Sequence, residues 1–136
     1  MKKLGFTWLT LVMLSGIVPF SISFVQSVNV TQEVSTAIRE GNARNVAKFF
    51  GSNVDLKLPE NEGTFSKNQA ELLLRNFFSR NSPSSFTTNH QGSSRDGSVY
   101  LIGAYTAKNG NQYRTYFLLK KVSDQMVLHQ LQFELQ

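Results

Sequence analysis

From Pro83 to the end of the chain, apolar and polar residues alternate with a period of two. That period puts successive side chains on opposite faces of an extended backbone, so this part of the chain forms strands. Strands fit at residues 85–93, 98–107, 111–122 and 126–135. Asn109-Gly110 lies between the middle two and is a strong hairpin signal. Read as a two-residue loop, it pairs Thr106 with Tyr113, Ala104 with Thr115, Ile102 with Phe117 and Tyr100 with Leu119 on one face. A three-residue Arg95-Asp96-Gly97 loop, with Gly97 left-handed, adds Phe86, Thr88 and His90 to that face. A three-residue Ser123-Asp124-Gln125 loop adds His129, Leu131, Phe133 and Leu135. A two-residue loop at either end flips the outer strand, because the side-chain period is two.

Upstream of Pro83 the period is helical. Thr31 is placed to cap a helix whose stripe is Val34, Ala37 and Ile38, and Gly41 ends it as a left-handed residue. Asn42 caps a second helix with the stripe Ala43, Val46, Ala47 and Phe50, which Gly51 stops. Val54, Leu56 and Leu58 alternate with Asp55 and Lys57 as a strand closed by Pro59, and residues 60–63 turn the chain. Ser66 and Gln69 form a capping box ahead of Ala70, Leu73, Leu74, Phe77 and Phe78, the clearest stripe in the sequence; Asn81 and Pro83 end this helix. The predicted order is α-α-β-α-β-β-β-β. This is an α+β class in which an antiparallel meander packs one face against helices. It is also the order of the cone-shaped nuclear-transport-factor-2-like fold.

The first residues carry a different message. Lys2 and Lys3 precede an uncharged apolar run from Leu4 to Phe20, followed by Ser21-Ile22-Ser23. A basic start, an apolar run and small residues at the −3 and −1 positions describe a secretory signal peptide over residues 1–23. Val25-Gln26-Ser27 supports cleavage after residue 27 instead, leaving 28–136 as one domain. The alternative is an uncleaved anchor, short for a bilayer span. The expected location is therefore periplasmic or extracellular, with membrane contact only through the signal segment before cleavage. Cleavage removes Trp8, the single tryptophan. It also takes the basic residues from 14 to 12 against 9 acidic ones, for a net charge of +3. The basic side chains are spread over separate elements, so no stripe for nucleic acid forms and no nucleic-acid partner is expected. The absence of cysteine excludes a disulfide scaffold, a cysteine nucleophile, a thiolate metal site and a lipoprotein anchor.

The sequence resembles a set of small exported Bacteroidetes proteins grouped as domain of unknown function 4783. The resemblance runs through Ala37-Ile38, Gly41-Asn42-Ala43, Ala47-Lys48-Phe49-Phe50, Ser66 to Glu71, Phe77-Phe78, Pro83 and Phe86. It continues through His90 to Gly92, Tyr100 to Gly103, Gly110, Tyr113-Arg114, Leu118 to Lys120, His129 to Leu131 and Phe133-Glu134. It implies a nuclear-transport-factor-2-like fold and no particular activity.

Chemistry-bearing clusters are sparse. No nucleophile elbow, P-loop, dinucleotide fingerprint or zinc-protease motif is present, so no catalytic residue, cofactor or metal is assigned. His90 and His129 fall three strands apart, about 14 Å at ~4.8 Å per strand, too far to share a zinc ion. The sequence reading is an exported non-catalytic domain that binds a small apolar ligand or an envelope protein. Its pocket would be lined by His90, Tyr100, Tyr113, Phe117 and His129 on one sheet face. Two alternatives stand beside it. One is a lyase or isomerase of the ketosteroid-isomerase type built on Asp55, Tyr100 and His129. The other is a dimerisation module whose partner surface is Tyr105, Arg114 and Tyr116, giving a homodimer.

Overall fold

The computed structural model describes residues 22–136, with side chains from residue 29 onward. The signal segment read at residues 1–23, with its cleavage points, lies outside the described side chains. The elements are α1 (Ile22–Glu40), α2 (Ala43–Ala47), β1 (Phe50–Lys57), β2 (Glu62–Ser66), α3 (Lys67–Arg80), β3 (Pro83–Ser93), β4 (Val99–Ala107), β5 (Gln112–Val122) and β6 (Gln125–Leu135). The strands form one sheet in the order β2-β1-β6-β5-β4-β3, antiparallel throughout except where β1 runs parallel to β6.

The helices follow their stripes, with two corrections. Thr31 does not start α1; it is 2% exposed and lies within the helix. It stands three residues before Val34 and seven before Ile38, so it extends the buried stripe upstream. Phe50 does not belong to α2, which closes at Ala47; the Leu128 N–H bonds Phe49 O at 2.7 Å and draws Phe50 into β1. The predicted ends hold elsewhere. Gly41 has φ +65°, with Gly41 N–H on Ile38 O and Asn42 N–H on Ala37 O, a Schellman end. Asn42 Oδ1 then accepts the Asn45 N–H at 3.0 Å. Ser66 Oγ accepts the Gln69 N–H at 3.3 Å and starts α3.

The β1–β2 hairpin is tighter than the sequence suggests. Leu58 and Asn61 exchange backbone bonds around a Pro59-Glu60 loop, and β2 begins at Glu62. Strand β2 has no apolar alternation, and only Phe65 packs from it, so nothing in the pattern announces it.

The meander shows how turns set faces. The Arg95-Asp96-Gly97 loop forms as predicted, with Gly97 at φ +86° and Ser94 bonded to Ser98. Asp96 Oδ1 accepts the Ser98 N–H, which holds the Asp96 carboxyl below the usual carboxylate range. The β4–β5 loop has three residues rather than two. Ala107 N–H bonds Asn111 O, Gly110 N–H bonds Ala107 O, and only Gly110 turns left-handed at φ +92°. That slip of one residue pairs Tyr105 with Tyr113 and Leu101 with Phe117. Val99, Leu101, Tyr105 and Ala107 therefore face the helices, while Tyr100, Ile102, Ala104 and Thr106 face away. The β5–β6 loop has two residues, Ser123 and Asp124, both left-handed at φ +48° and +62°.

Two bulges then correct the outer strands. The β5–β6 register shifts at His129, restoring Phe117 opposite Leu131 and Thr115 opposite Phe133. The β3–β4 register shifts at Asn89, putting Phe86 opposite Tyr105. Phe86, Leu131 and Phe133 are buried as predicted, whereas Thr88 and His90 are exposed and Leu135 is 59% exposed. The core collects α1, α2 and α3 over one sheet face, and each fully buried Leu, Ile or Phe contributes about 1.5–3 kcal/mol.

Candidate functional site

The concave face is packed with side chains. The ring of Phe77 lies 4.7 Å from that of Phe133, 5.1 Å from Tyr113 and 5.9 Å from Tyr105, and Phe78 lies 6.0 Å from Phe133. Leu74 and Phe117 are fully buried. With α3 packed on that face, an open cleft remains at the mouth of the cone. It measures about 340 Å³ and lies between the end of α3, the β1–β2 loop and the β4–β5 loop. Its apolar wall is Leu58, Leu73, Phe77 and Leu135, and its polar rim is Glu60, Asn61, Arg80, Asn81, Asn109 and Asn111.

One carboxamide organises that rim. Asn81, the C-cap of α3, accepts at Oδ1 from the Tyr113 hydroxyl at 2.8 Å and from Asn109 Nδ2 at 2.9 Å. Its Nδ2 donates to Phe77 O at 3.3 Å, and its carbonyl accepts the Tyr105 hydroxyl. Asn109 Nδ2 also donates to Arg80 O, and Asn109 Oδ1 accepts the Asn111 N–H at 2.9 Å. The helix end and the β4–β5 turn are thus tied together by side chains that satisfy carbonyls and turn N–H groups. Burial, and to a lesser degree the neighbouring Tyr113, pushes the Tyr105 phenol well above its ordinary value of 10.0. Arg80 and Glu60 form an ion pair across the outer lip.

The five side chains read as one pocket are divided by the sheet. Tyr113 borders the cleft, and Phe117 is core. His90, Tyr100 and His129 project from the opposite face. There His90 Nε2 meets the Tyr100 hydroxyl at 2.9 Å, and the Tyr100 ring covers Gly92. His129 Nε2 lies 3.9 Å from Asp55 Oδ2, and Asp55 Oδ1 accepts the Thr64 hydroxyl at 2.6 Å. Asp55 and His129 are about half exposed on an open face, and Tyr100, paired with Leu118, lies a strand beyond β5 from them. The closed cavity that ketosteroid-type chemistry needs does not surround them. The surface read at Tyr105, Arg114 and Tyr116 is divided as well: Tyr105 is fully buried, while Arg114 and Tyr116 lie on the outer face. Among the described residues, no three His, Asp or Glu side chains gather as metal ligands.

Sequence reasoning missed the asparagine network because Asn81, Asn109 and Asn111 come from a helix end and a distant turn. The available signal was the concentration of asparagine at two chain reversals, where carboxamides commonly bond backbone.

Helices packed on a six-stranded sheet around a cone define an α+β domain of the nuclear-transport-factor-2-like class. A protein of this class from Shewanella baltica, of unknown function, superposes with a TM-score of 0.60 at 10% identity, covering 83% of this chain and 93% of that one. The chain belongs to the family described as domain of unknown function DUF4783, which it matches over residues 31–134. The Bacteroides uniformis member is 32% identical with a TM-score of 0.74, covering 79% of this chain and 98% of its own. The Bacteroides ovatus member is 31% identical with a TM-score of 0.71, covering 76% and 93%. No curated protein matches the chain.

Proposed function

We propose that this protein is an exported, non-catalytic binding domain. It holds a small ligand at the mouth of the cone, with an apolar face of the ligand against Leu58, Leu73 and Leu135. The observation that carries this reading is the cleft itself: about 340 Å³, one wall apolar, the rim polar, beside a core that is otherwise filled. Ligand sites have this composition and run to ~300–1,000 Å³, which places this one at the small end. The lining contains no histidine, and its one carboxylate, Glu60, is held by Arg80. That supports binding over acid–base chemistry. Export rests on the basic, apolar and small-residue order of residues 1–23.

Native mass spectrometry of protein taken from its own envelope tests the reading. The expected spectrum shows the mature chain carrying a small retained mass, which is lost in Leu73→Trp because the indole fills the cleft. A wild-type chain without added mass, or a mass retained equally by Leu73→Trp, contradicts it.

A second reading is favoured by the outer face, where Ile102 pairs with Tyr116 and Tyr100 with Leu118, all half-buried and, among the described residues, uncovered by any helix. Such a face suits a homodimer or an envelope protein, since exposed apolar patches mark interfaces. A sedimentation mass that halves in Tyr116→Arg supports the dimer, and a wild-type monomer at high concentration removes it.

A further inference from the structure

We infer that the ligand of the cleft is an uncharged saccharide of one or two rings, an assignment that rests on the binding reading above. Three features of the rim lead to it.

The first is charge. Glu60 and Arg80 are the charged side chains of the lining, and they are paired with each other. An anionic ligand meets Glu60 beside Arg80, and a cationic one meets Arg80 beside Glu60. Neither finds net opposite charge, so the site discriminates against both.

The second is hydrogen-bonding capacity. Asn81 and Asn109 are occupied by the internal network at both ends of their carboxamides. Asn61 and Asn111 are not. The Asn61 side chain makes no hydrogen bond among the described residues, although its backbone closes the β1–β2 loop. Among the described residues, Asn111 Nδ2 makes only long contacts, 3.4 Å to the Tyr113 hydroxyl and 3.5 Å to Asn81 Oδ1, and its Oδ1 has no partner. A carboxamide offers a donor and an acceptor side by side, and a hydroxyl group is both donor and acceptor. Two such carboxamides over one cleft match neighbouring hydroxyls on a ring.

The third is the wall. Leu73 is half-buried and Leu135 is 59% exposed, a large apolar side chain left uncovered at the lip. A pyranose presents a C–H face to such a surface while its hydroxyls point to the rim. A peptide strand is a poorer match. It binds by extending a sheet edge, and the edges here are β2 and β3, whereas the cleft is made of chain reversals and the end of α3.

The test is a titration of ¹⁵N-labelled protein, observed by NMR, with glucose, galactose, mannose, N-acetylglucosamine, maltose and cellobiose. Hexanol, benzoate and triglycine serve as apolar, anionic and peptide probes. The expected result is that at least one saccharide, at millimolar concentration, shifts the amides of Asn61, Leu73, Asn111 and Leu135. Asn111→Ala should weaken that binding about tenfold, the effect of one lost hydrogen bond. Leu135→Asp should weaken it at least as much, and its exposed position leaves the fold intact. If hexanol, benzoate or triglycine shifts those amides and no saccharide does, the saccharide assignment is wrong while the binding cleft stands. If no probe shifts them, both fall.

Discussion

The Tyr113 hydroxyl donates to Asn81 Oδ1 at 2.8 Å, joining β5 to the C-cap of α3 across the mouth of the cone. Further bonds converge on the same asparagine, among them Asn109 on its side chain, Tyr105 on its carbonyl, and its own donation to Phe77 O.

Asn81→Ala removes the shared acceptor and leaves the Tyr113 hydroxyl and an Asn109 N–H without it. Orphaning a buried polar group costs about 1–3 kcal/mol, whereas Tyr113→Phe removes one bond and costs about 1 kcal/mol. Urea unfolding should rank the two variants in that order. Equal midpoints would show that Asn81 is not the hub.

Tyr105 gives the stability curve an alkaline limb. Its folded-state pKa is raised above the ordinary 10.0, first by burial and then by Tyr113. The folded state therefore keeps a proton that the unfolded state releases, so the stabilisation is complete below pH 10 and declines as pH rises further. In Tyr105→Phe that decline should shrink, with a loss of about 1 kcal/mol at neutral pH for the bond to Asn81. An unchanged alkaline slope in the variant would assign the limb to another group.

Two glycines differ in what covers them. A Cβ on Gly103 would stand 2.7 Å from Thr87 O and 2.8 Å from the Phe86 ring, while one on Gly92 would stand 2.6 Å from the Tyr100 ring. Phe86 is core and Thr87 O is backbone, so Gly103→Ala should cost at least the ~1–3 kcal/mol typical of overpacking. Tyr100 is half exposed and can swing away, so Gly92→Ala should cost less and mainly break the His90–Tyr100 bond. Thermal melts of both variants check the order.

Thr115 is fully buried opposite Gly103 and Phe133, and its hydroxyl has no partner among the described residues. Thr115→Val replaces that hydroxyl with a methyl group of similar size. It should leave stability unchanged or raise it by up to about 1 kcal/mol. A clear drop in melting temperature would mean that the hydroxyl is satisfied in solution.

The helices and the four-stranded meander were legible because their signals are periodic and local. Ala70 to Phe78 is a stripe behind a capping box, and Gly41 and Asn42 punctuate the chain as their chemistry requires. Sheet faces were legible only in part, because they depend on single residues. One extra residue in the Asn109-Gly110 loop reverses β4 relative to β5, and the bulges at Asn89 and His129 add a residue that no hydrophobic pattern marks. Tyr113 and Phe117 therefore lie on the face that the alternation predicts, whereas Tyr100, His90 and His129 lie on the opposite one. The cleft was harder still, since it is assembled from three chain reversals far apart in sequence.

On the proposed reading, binding takes place at the mouth of the cone and not on the open sheet face. Its most direct test adds the small-molecule fraction of the native envelope to ¹⁵N-labelled protein and maps the amides that shift. Shifts are expected at Leu58, Asn61, Leu73, Asn109, Asn111 and Leu135. Shifts gathered instead at Tyr100, Ile102, Tyr116 and His129 would contradict it.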